Sequence, residues 1–258
     1  MSGLKDNVVF VTGASSGIGQ ACARAFAAQG AKILMCARRD ERLRAFAAEL
    51  KKDFRVSVHA FALDVRNQTE VERTLPALPE EWRAVDVLVN NAGLSRGLDK
   101  LHQGLISDWD EMIDTNFKGL LYVSRAVIPG MVARGTGHVI NIGSIAGYEL
   151  YPGGNVYCAT KFAVRALSKG LRLDLNGTPI RVSEVAPGMT ETEFSVVRFH
   201  GDKERAGKVY QGLQPLTPDD IADAVVWCAT RPAHVNISEM IVMPTAQAST
   251  TLVHRKQP

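Results

Sequence analysis

The stretch NVVFVTGASSGIG at residues 7–19 decides the predicted fold. Its first six residues are mostly apolar and β-branched, as in a buried strand, and a helical pattern begins directly after its glycines. Glycines at such a turn let the backbone approach a pyrophosphate, which the free N–H groups of the helix N-terminus then bind. A glycine-rich turn also occurs in ordinary βα loops, but the strand before it and the helix after it favour a dinucleotide site. The residues predicted to form that site are Gly13, Ser15, Ser16, Gly17, Ile18 and Gly19.

Short apolar runs alternate with longer helical patterns along the rest of the chain. The runs lie at residues 7–12, 31–37, 56–62, 85–90, 138–143, 180–186 and 240–243. They lack a regular alternation of apolar and polar residues, which is typical of parallel strands covered on both faces. The pattern predicts a single-domain α/β fold, a Rossmann-type doubly wound parallel sheet of about seven strands with helices on both faces.

The late part of the chain carries the densest loop signals. Residues 188–217 combine glycine and proline with a charged, helix-like piece, which predicts a substrate lid within the domain. Residues 246–258 form a polar tail after the last predicted strand. Because no repeat or Pro/Gly-rich linker interrupts the chain, residues 1–258 are predicted to form one dinucleotide-binding and catalytic domain.

Composition excludes several classes of partner. The chain has 258 residues, 46% of them hydrophobic, and a net charge of +3, which is too small to indicate binding to nucleic acid or to an anionic membrane. No apolar run approaches the roughly 20 residues that span a bilayer, and the N-terminus does not resemble a secretory signal. The four cysteines are scattered and the histidines show no ligand spacing, so we predict no metal site and a reducing, cytoplasmic location.

The end of the second predicted strand indicates which dinucleotide binds. A carboxylate at this position would repel the 2′-phosphate of NADP, whereas this chain has Arg38 and Arg39. A guanidinium group donates two hydrogen bonds to a phosphate and stays charged, so the pair predicts NADP(H) as the cofactor. The neighbouring Arg42 and Arg44 are also compatible with a solvated start of a helix.

Three residues form a candidate catalytic set. Ser144 ends the fifth predicted strand, and Tyr157 and Lys161 lie four residues apart, on one face of the helix that follows. An ammonium group near a phenol lowers the pKa of the phenol and makes it a better base at neutral pH. A hydroxyl at Ser144 could hydrogen-bond the oxygen of a reacting substrate. A Tyr-x-x-x-Lys pair alone is common by chance on helix surfaces.

The order and spacing of these motifs resemble the short-chain dehydrogenase/reductase family. The matching segments are TGASSGIG, NNAG at residues 90–93, Asn116, Ser144, YCATK and the Pro187-Gly188 pair. The resemblance implies that Tyr157 is the acid and base, that Lys161 lowers its pKa and binds the nicotinamide ribose, and that Ser144 orients the substrate. It implies that Asn116 holds a water in a proton relay. It also implies further cofactor contacts from Asp64, Val65, Asn91, Ala92, Gly93, Pro187, Gly188 and Thr190.

Longer segments resemble the NADP-dependent 3-hydroxy acid dehydrogenase branch, with serine and allo-threonine dehydrogenases, malonic semialdehyde reductases and the related sulfoacetaldehyde reductases. Among them are WDEMIDTNFKGLLYVSRAVIPGMV and the lid segment TEFSVVRFHGD. The branch implies a small anionic hydroxy acid or aldehyde substrate, for which Arg198 in the lid is the candidate ligand. Tyr148 and Tyr151 are candidates to wall the pocket or to pack. The resemblance also implies a homotetramer, in which tail residues such as Gln247 and Arg255 could reach a neighbouring subunit.

Other interpretations remain open from the sequence. Within the same family, the protein could reduce sulfoacetaldehyde, 3-oxoacyl thioesters or bulkier ketones; the last two would require a long apolar pocket in which Arg198 is dispensable. Outside enzymes, the fold could serve an NADP(H)-sensing binding protein, which would bind the cofactor without turnover. The complete set of Ser144, Tyr157 and Lys161 favours an enzyme.

Overall fold

Seven parallel strands form one sheet within residues 3–256, the part of the chain that the computed structural model describes. In chain order they are β1 (Val8–Thr12), β2 (Lys32–Ala37), β3 (Val58–Ala62), β4 (Val87–Asn90), β5 (His138–Ile142), β6 (Arg181–Pro187) and β7 (Glu239–Val242). Their order across the sheet is β3-β2-β1-β4-β5-β6-β7. The chain therefore reverses its direction of winding between β1 and β4, which opens a crevice at the carboxyl ends of the strands.

Helices cover both faces of the sheet. Those in the described residues are α1 (Gly17–Ala28), α2 (Asp40–Phe54), α3 (Gln68–Thr74), α4 (Glu80–Arg83), α5 (Ile106–Ile113), α6 (Leu120–Arg134), α7 (Asn155–Asp174), α8 (Phe194–Arg198), α9 (Lys203–Lys208) and α10 (Pro218–Ala229). A π-helical turn, Asp114–Gly119, joins α5 to α6, and a 3₁₀ turn, Ile145–Gly147, follows β5. No helix among residues 3–256 combines the length and hydropathy needed to cross a membrane.

Two hydrophobic cores explain why the strands lack polar alternation. In β1, Val9 and Val11 pack towards α1, α2 and α10, whereas Val8 and Phe10 pack towards α3, α4 and α6. Successive side chains of one strand thus enter opposite cores, and all five residues of β1 are buried. The predicted doubly wound fold is confirmed, and the strand ends differ from the prediction by one or two residues.

The segments predicted as lid and tail contact each other. Residues 188–217 contain α8 and α9 and their connecting turns. The tail folds back on itself through a bridge between Gln247 and Val253, and the amide of Lys256 donates to the carbonyl of Gly212 at 2.7 Å. Lid and tail together cover the carboxyl ends of the strands, where the candidate site lies.

Candidate active site

A cavity of about 930 Å³ opens at the carboxyl ends of the strands. One end lies at the β1–α1 turn and the arginines after β2, and the other lies between Ser144, Tyr157 and the lid. The predicted site residues that line it are Gly13, Ser15, Ser16, Gly17, Ile18, Arg38, Arg39, Asp64, Val65, Asn91, Ala92, Gly93, Ser144, Tyr157, Lys161, Pro187, Gly188, Thr190 and Arg198. The predicted residues Gly19, Asn116 and Tyr148 do not line it.

The β1–α1 turn has the geometry that its glycines predict. Gly13 and Gly17 have φ values of +66° and +55°, which an L-residue with a side chain rarely adopts. Gly19 serves packing, because a Cβ there would collide with the carbonyl of Gly13 and the side chain of Asn91. The hydroxyl of Ser16 makes no capping bond to α1, so the N–H groups of the first turn keep their capacity for a phosphate. The turn therefore fits a dinucleotide pyrophosphate.

Three arginines beyond β2 form ion pairs with two acidic residues. Arg39 donates to the hydroxyls of Ser15 and Ser16 at 3.2 and 2.6 Å, and it pairs with Glu193 at 2.7 Å. Arg42 pairs with the same carboxylate at 2.9 Å, whereas Arg38 lies 3.4 Å from Glu111. Arg39 is thus the arginine that links the strand end to the phosphate turn. Glu193, at the start of the lid helix α8, was not predicted from the sequence.

Asp64 and Val65 line the end of the cavity that lies at the β1–α1 turn. The carboxylate of Asp64 accepts hydrogen bonds of 2.6–3.1 Å from Arg66. Burial raises the pKa of Asp64, but the bonds from Arg66 and the nearby charge of Arg38 outweigh it and hold the pKa below its usual value. Asp64 therefore stays ionised and accepts hydrogen bonds at neutral pH.

Ser144 and Tyr157 face each other across the other end of the cavity. Ser144 caps the 3₁₀ turn after β5, accepting from the amide of Ala146 at 3.1 Å. Tyr157 lies in the first turn of α7 and is 8% exposed, and its ring meets that of Phe194 from the lid edge-on, with centroids 5.6 Å apart. The strand end and the helix start thus bring two hydroxyl groups to one point.

Lys161 and Asn116 are buried behind Tyr157. The ammonium of Lys161 donates to the carbonyl of Ile142 at 2.9 Å and lies 6.0 Å from the centroid of the Tyr157 ring. Asn116 lies in the π-helical turn, and its amide exchanges two hydrogen bonds of 2.8 Å with the backbone of Leu94. It is not a helix cap, which is the usual role of an Asn at a predicted helix start. Between Asn116 and Lys161 lies Gly93, where a Cβ would be 3.3 Å from the amide oxygen.

The pKa of Tyr157 reflects opposing influences. Burial raises it above its usual value, and the positive charge of Arg198 and hydrogen bonding to Ser144 oppose that increase only in part. The guanidinium carbon of Arg198 is 5.4 Å from the centroid of the Tyr157 ring. The sequence predicted Lys161 as the group that favours phenolate, whereas in the structure Arg198 is the charge that most opposes the increase in pKa.

Arg198 points from the end of α8 into the cavity. Its Nε donates to Ser95 at 3.1 Å and one terminal nitrogen donates to Tyr151 at 2.9 Å, while its guanidinium group lies 5.0 Å from the Phe194 ring centroid. Among the described residues, no carboxylate lies within ion-pair distance of it. A partly buried guanidinium group without an acidic partner has the charge and the donors that an anion would require, so Arg198 stays a candidate substrate ligand.

Tyr148 is not a pocket residue, contrary to the prediction. Its hydroxyl donates to Glu239 on β7 at 2.8 Å, and Arg165 stacks on its ring at 3.8 Å. Tyr148 therefore faces β7, away from the cavity. Tyr151, three residues on, lines the cavity and holds Arg198. The sequence offered both tyrosines but no pattern that separates them, because they lie in an irregular segment.

The lid and the tail complete the walls of the cavity. Gly188 directly follows β6, and a Cβ there would collide with the side chain of Gln247 from the tail. Gln247 accepts from the amide of Met189 at 2.8 Å, and Arg255 donates to the carbonyl of Val209 at 2.9 Å. In the described residues, the tail therefore covers the cavity of its own chain. No group of three or more His, Cys, Asp or Glu side chains among residues 3–256 is arranged to hold a metal ion.

A phosphate-binding turn, a switch point in a parallel sheet and a buried Ser-Tyr-Lys set together define a dinucleotide-dependent oxidoreductase. The family model for short chain dehydrogenases matches residues 7–202. The chain is 52% identical over 250 residues to the NADP-dependent 3-hydroxy acid dehydrogenase YdfG of Salmonella typhi, covering 96% of this chain and 99% of that protein. It is 45% identical to sulfoacetaldehyde reductase 2 of Chromohalobacter salexigens over 94% of this chain and 96% of that one.

Solved structures agree with these relatives. The closed form of a serine dehydrogenase complexed with NADP+ superposes with a TM-score of 0.90 at 49% identity, covering 97% of this chain and all of that one. The protein belongs to the short-chain dehydrogenase family. The family predicted from the sequence is confirmed, and the predicted cofactor agrees with the NADP named for these relatives.

Proposed function

We propose that the protein transfers a hydride between NADP(H) and a short 3-hydroxy acid or the matching semialdehyde or keto acid. The observation that carries this proposal is the unpaired guanidinium group of Arg198, 5.4 Å from the ring centroid of Tyr157. A carboxylate bound there would hold the neighbouring carbons of a small substrate close to the phenol. The substrates named for the relatives, 3-hydroxy acids and serine, support the same chemistry.

The chain supplies binding and proton transfer in this reaction. NADP(H), when bound, provides or accepts the hydride; the phosphate turn and Arg39 would hold its phosphates, and Asp64 would contact its adenine. Tyr157 takes the proton of the substrate hydroxyl during oxidation and returns it to the carbonyl oxygen during reduction. Ser144 donates a hydrogen bond to that oxygen and stabilises the charge that develops on it. Lys161 stabilises the phenolate form of Tyr157, and Asn116 holds a water that leads towards Lys161.

A sulfonate substrate is the second candidate. It is supported by the 45% identity to a sulfoacetaldehyde reductase and by the same Arg198, because a guanidinium group binds carboxylates and sulfonates alike. Four aromatic or polar side chains, Phe194, Tyr151, Tyr157 and Ser95, surround Arg198 and leave the anion type open. Turnover of malonic semialdehyde compared with sulfoacetaldehyde distinguishes a carboxylate from a sulfonate substrate.

A turnover panel tests the proposal. NADP+ reduction is measured with L-serine, L-allo-threonine and 3-hydroxypropionate, and NADPH oxidation with malonic semialdehyde, sulfoacetaldehyde and a 3-oxoacyl thioester, each also with Arg198→Ala. We expect turnover of at least one short hydroxy acid or semialdehyde, reduced in the variant. Preference for the thioester, with Arg198 dispensable, would contradict the proposal. Tight NADPH binding without turnover of any compound would identify a binding protein.

The homotetramer and the cytoplasmic location are parts of the same proposal. The exposed apolar side chains include Phe162 and Leu173 on α7, Trp227 on α10 and Ile241 on β7, which contacts between subunits would cover. All four cysteines are buried and free, in keeping with a reducing compartment. Light scattering coupled to size-exclusion chromatography tests the tetramer, with an expected mass close to four times 28.0 kDa.

A further inference from the structure

A buried carboxylate outside the predicted site stands out in β6. Glu184 is fully buried, and neither of its oxygens has a hydrogen-bond partner among the described residues. Burying an unpaired carboxylate destabilises a fold, so such groups are usually paired with an opposite charge or perform a function. None of the roles assigned above uses Glu184.

The sheet directs Glu184 towards the underside of the active site. Glu184 is paired in register with Asn141 on β5, and Asn141 donates to Ser168 on α7 at 2.9 Å, so this side of the two strands faces α7. A Cβ on Gly143 would collide with the Glu184 carboxylate, so the carboxylate packs directly against the backbone of Gly143. On either side of Gly143 are Ile142, whose carbonyl binds Lys161, and the catalytic Ser144.

Most of the charges that face Glu184 already have partners. Arg165, Lys169 and Arg172 of α7 each lie 3.4 Å from the carboxylate of Glu239 on β7, which also accepts the hydroxyl of Tyr148. Lys161 is different, because within the described residues no carboxylate lies within 4.0 Å of its ammonium. Lys161 is buried, and its ammonium donates a hydrogen bond to the carbonyl of Ile142.

We propose that Glu184 is a positioning residue that supplies the counter-charge for Lys161 and keeps that lysine protonated inside the protein. Within residues 3–256, the two groups are buried, opposite charges without an ion-pair partner of their own. The proposal rests on the proposed function in one respect: Lys161 must be an ammonium to stabilise the phenolate of Tyr157. The proposal also explains why position 143 is a glycine, because any side chain there would fill the space that the carboxylate occupies.

Ionisation of the pair agrees with this geometry. Burial lowers the pKa of Lys161 to about 8, and Glu184 is the group that opposes the decrease. Burial and the neighbouring Glu239 raise the pKa of Glu184 to about 7, while Lys161, Arg165 and Arg172 oppose the increase. Without the carboxylate, burial acts on Lys161 unopposed, so its pKa falls further and the ammonium is lost at a lower pH.

A direct titration of Lys161 tests the proposal without relying on activity. Lysine labelled with ¹³C at the ε carbon is incorporated, and the Lys161 resonance is assigned by its absence in Lys161→Arg. The wild-type midpoint is expected near 8. In Glu184→Gln it is expected to be about one to two pH units lower, as the loss of a nearby opposite charge in a partly dry site would cause. Glu184→Asp keeps the charge and is expected to keep the midpoint close to wild type.

Glu239→Gln is the matched control, because it makes the same change one strand further from Lys161 and is expected to leave the midpoint within a few tenths of a pH unit. Since a substitution in the core can prevent folding, the wild type provides an independent measurement. Its Lys161 resonance is expected to shift a second time near pH 7, where Glu184 ionises. Absence of that second shift, or an unchanged midpoint in a folded Glu184→Gln, overturns the proposal.

The pH profile of kcat provides the second readout. With the panel substrate that the wild type turns over fastest, Glu184→Gln is expected to lose about tenfold in kcat above pH 8 and to approach wild type near pH 6, with KM for NADPH unchanged. A purely structural defect would lower activity at every pH. If the wild type turns over no panel substrate, the proposed function fails, but the titration of Lys161 still decides the role of Glu184.

Discussion

Charged groups gather at both ends of the cavity, but the two ends differ in how much solvent reaches them. Tyr157 and Lys161 are 8% and 7% exposed, whereas the side chains of Arg39 and Arg42 are 43% and 55% exposed. Charges interact several times more strongly in a protein interior than in water, and salt screens the exposed ones. The same kinds of ionic contact are therefore expected to matter much more at the catalytic end than at the adenosine end.

The largest effect is expected for Tyr157→Phe. The variant keeps the ring that packs on Phe194 and loses the hydroxyl that we propose transfers the proton. Turnover is expected to fall by about 10²- to 10⁴-fold, the usual contribution of a general acid–base group, with unchanged thermal unfolding and NADPH binding. Tyr148→Phe is the matched control, since Tyr148 faces Glu239, and it should stay close to wild type. Substantial turnover by Tyr157→Phe would refute the assigned role.

The next effect in size concerns Arg198 in the lid. In Arg198→Ala, kcat/KM for an anionic substrate is expected to fall by about tenfold to a hundredfold, the value of a charge-assisted hydrogen bond in a partly buried site. A neutral alcohol of similar size should lose much less. Lys203→Ala, an exposed lysine in the same segment, controls for general effects on the lid. Equal losses with neutral and anionic substrates would mean that Arg198 acts on Tyr157 or on lid closure instead.

A smaller effect is expected at the adenosine end. Arg39→Ala is predicted to weaken NADPH binding by about tenfold and to leave NADH binding unchanged, because only NADPH carries the 2′-phosphate. Fluorescence titration with each cofactor measures the two dissociation constants. Arg38→Ala is expected to weaken NADPH binding less than Arg39→Ala does, because Arg38 faces Glu111. Arg44→Ala is expected to leave NADPH binding unchanged, because Arg44 pairs with Asp40. A larger effect for Arg38 than for Arg39 would reverse this assignment.

The smallest effect is expected for Glu193→Gln. Glu193 pairs with both Arg39 and Arg42, so a phosphate bound there must share or replace its carboxylate. Removing the negative charge is expected to strengthen NADPH binding by about twofold to fivefold at low salt, the scale of an exposed ion pair. At 0.5 M salt the difference should vanish, because exposed charges are screened. Weaker NADPH binding in this variant would show that Glu193 supports the site.

The parts of the site that lie in short, regular motifs were predictable. The phosphate turn, Ser144 and the Tyr157–Lys161 pair each follow a strand or open a helix, and local geometry alone fixes their direction. Residues in irregular segments were not. Tyr148 and Tyr151 could not be distinguished, and no pattern in the sequence singled out Glu193 among the charges of the lid. Their roles depend on partners about 40 to 150 positions away in the chain.

The alternation of strands and helices, the phosphate turn and the candidate catalytic groups could all be predicted from the amino-acid sequence. These follow from local rules: apolar periodicity, the conformational freedom of glycine and the spacing of side chains on a helix. Three features became visible only in the folded chain. Tyr148 turns away to Glu239, and within residues 3–256 Arg198 enters the cavity without an acidic partner and Glu184 lies unpaired under Gly143. Burial and charge pairing depend on every element that packs around a residue, and these are set by contacts between distant segments of the chain.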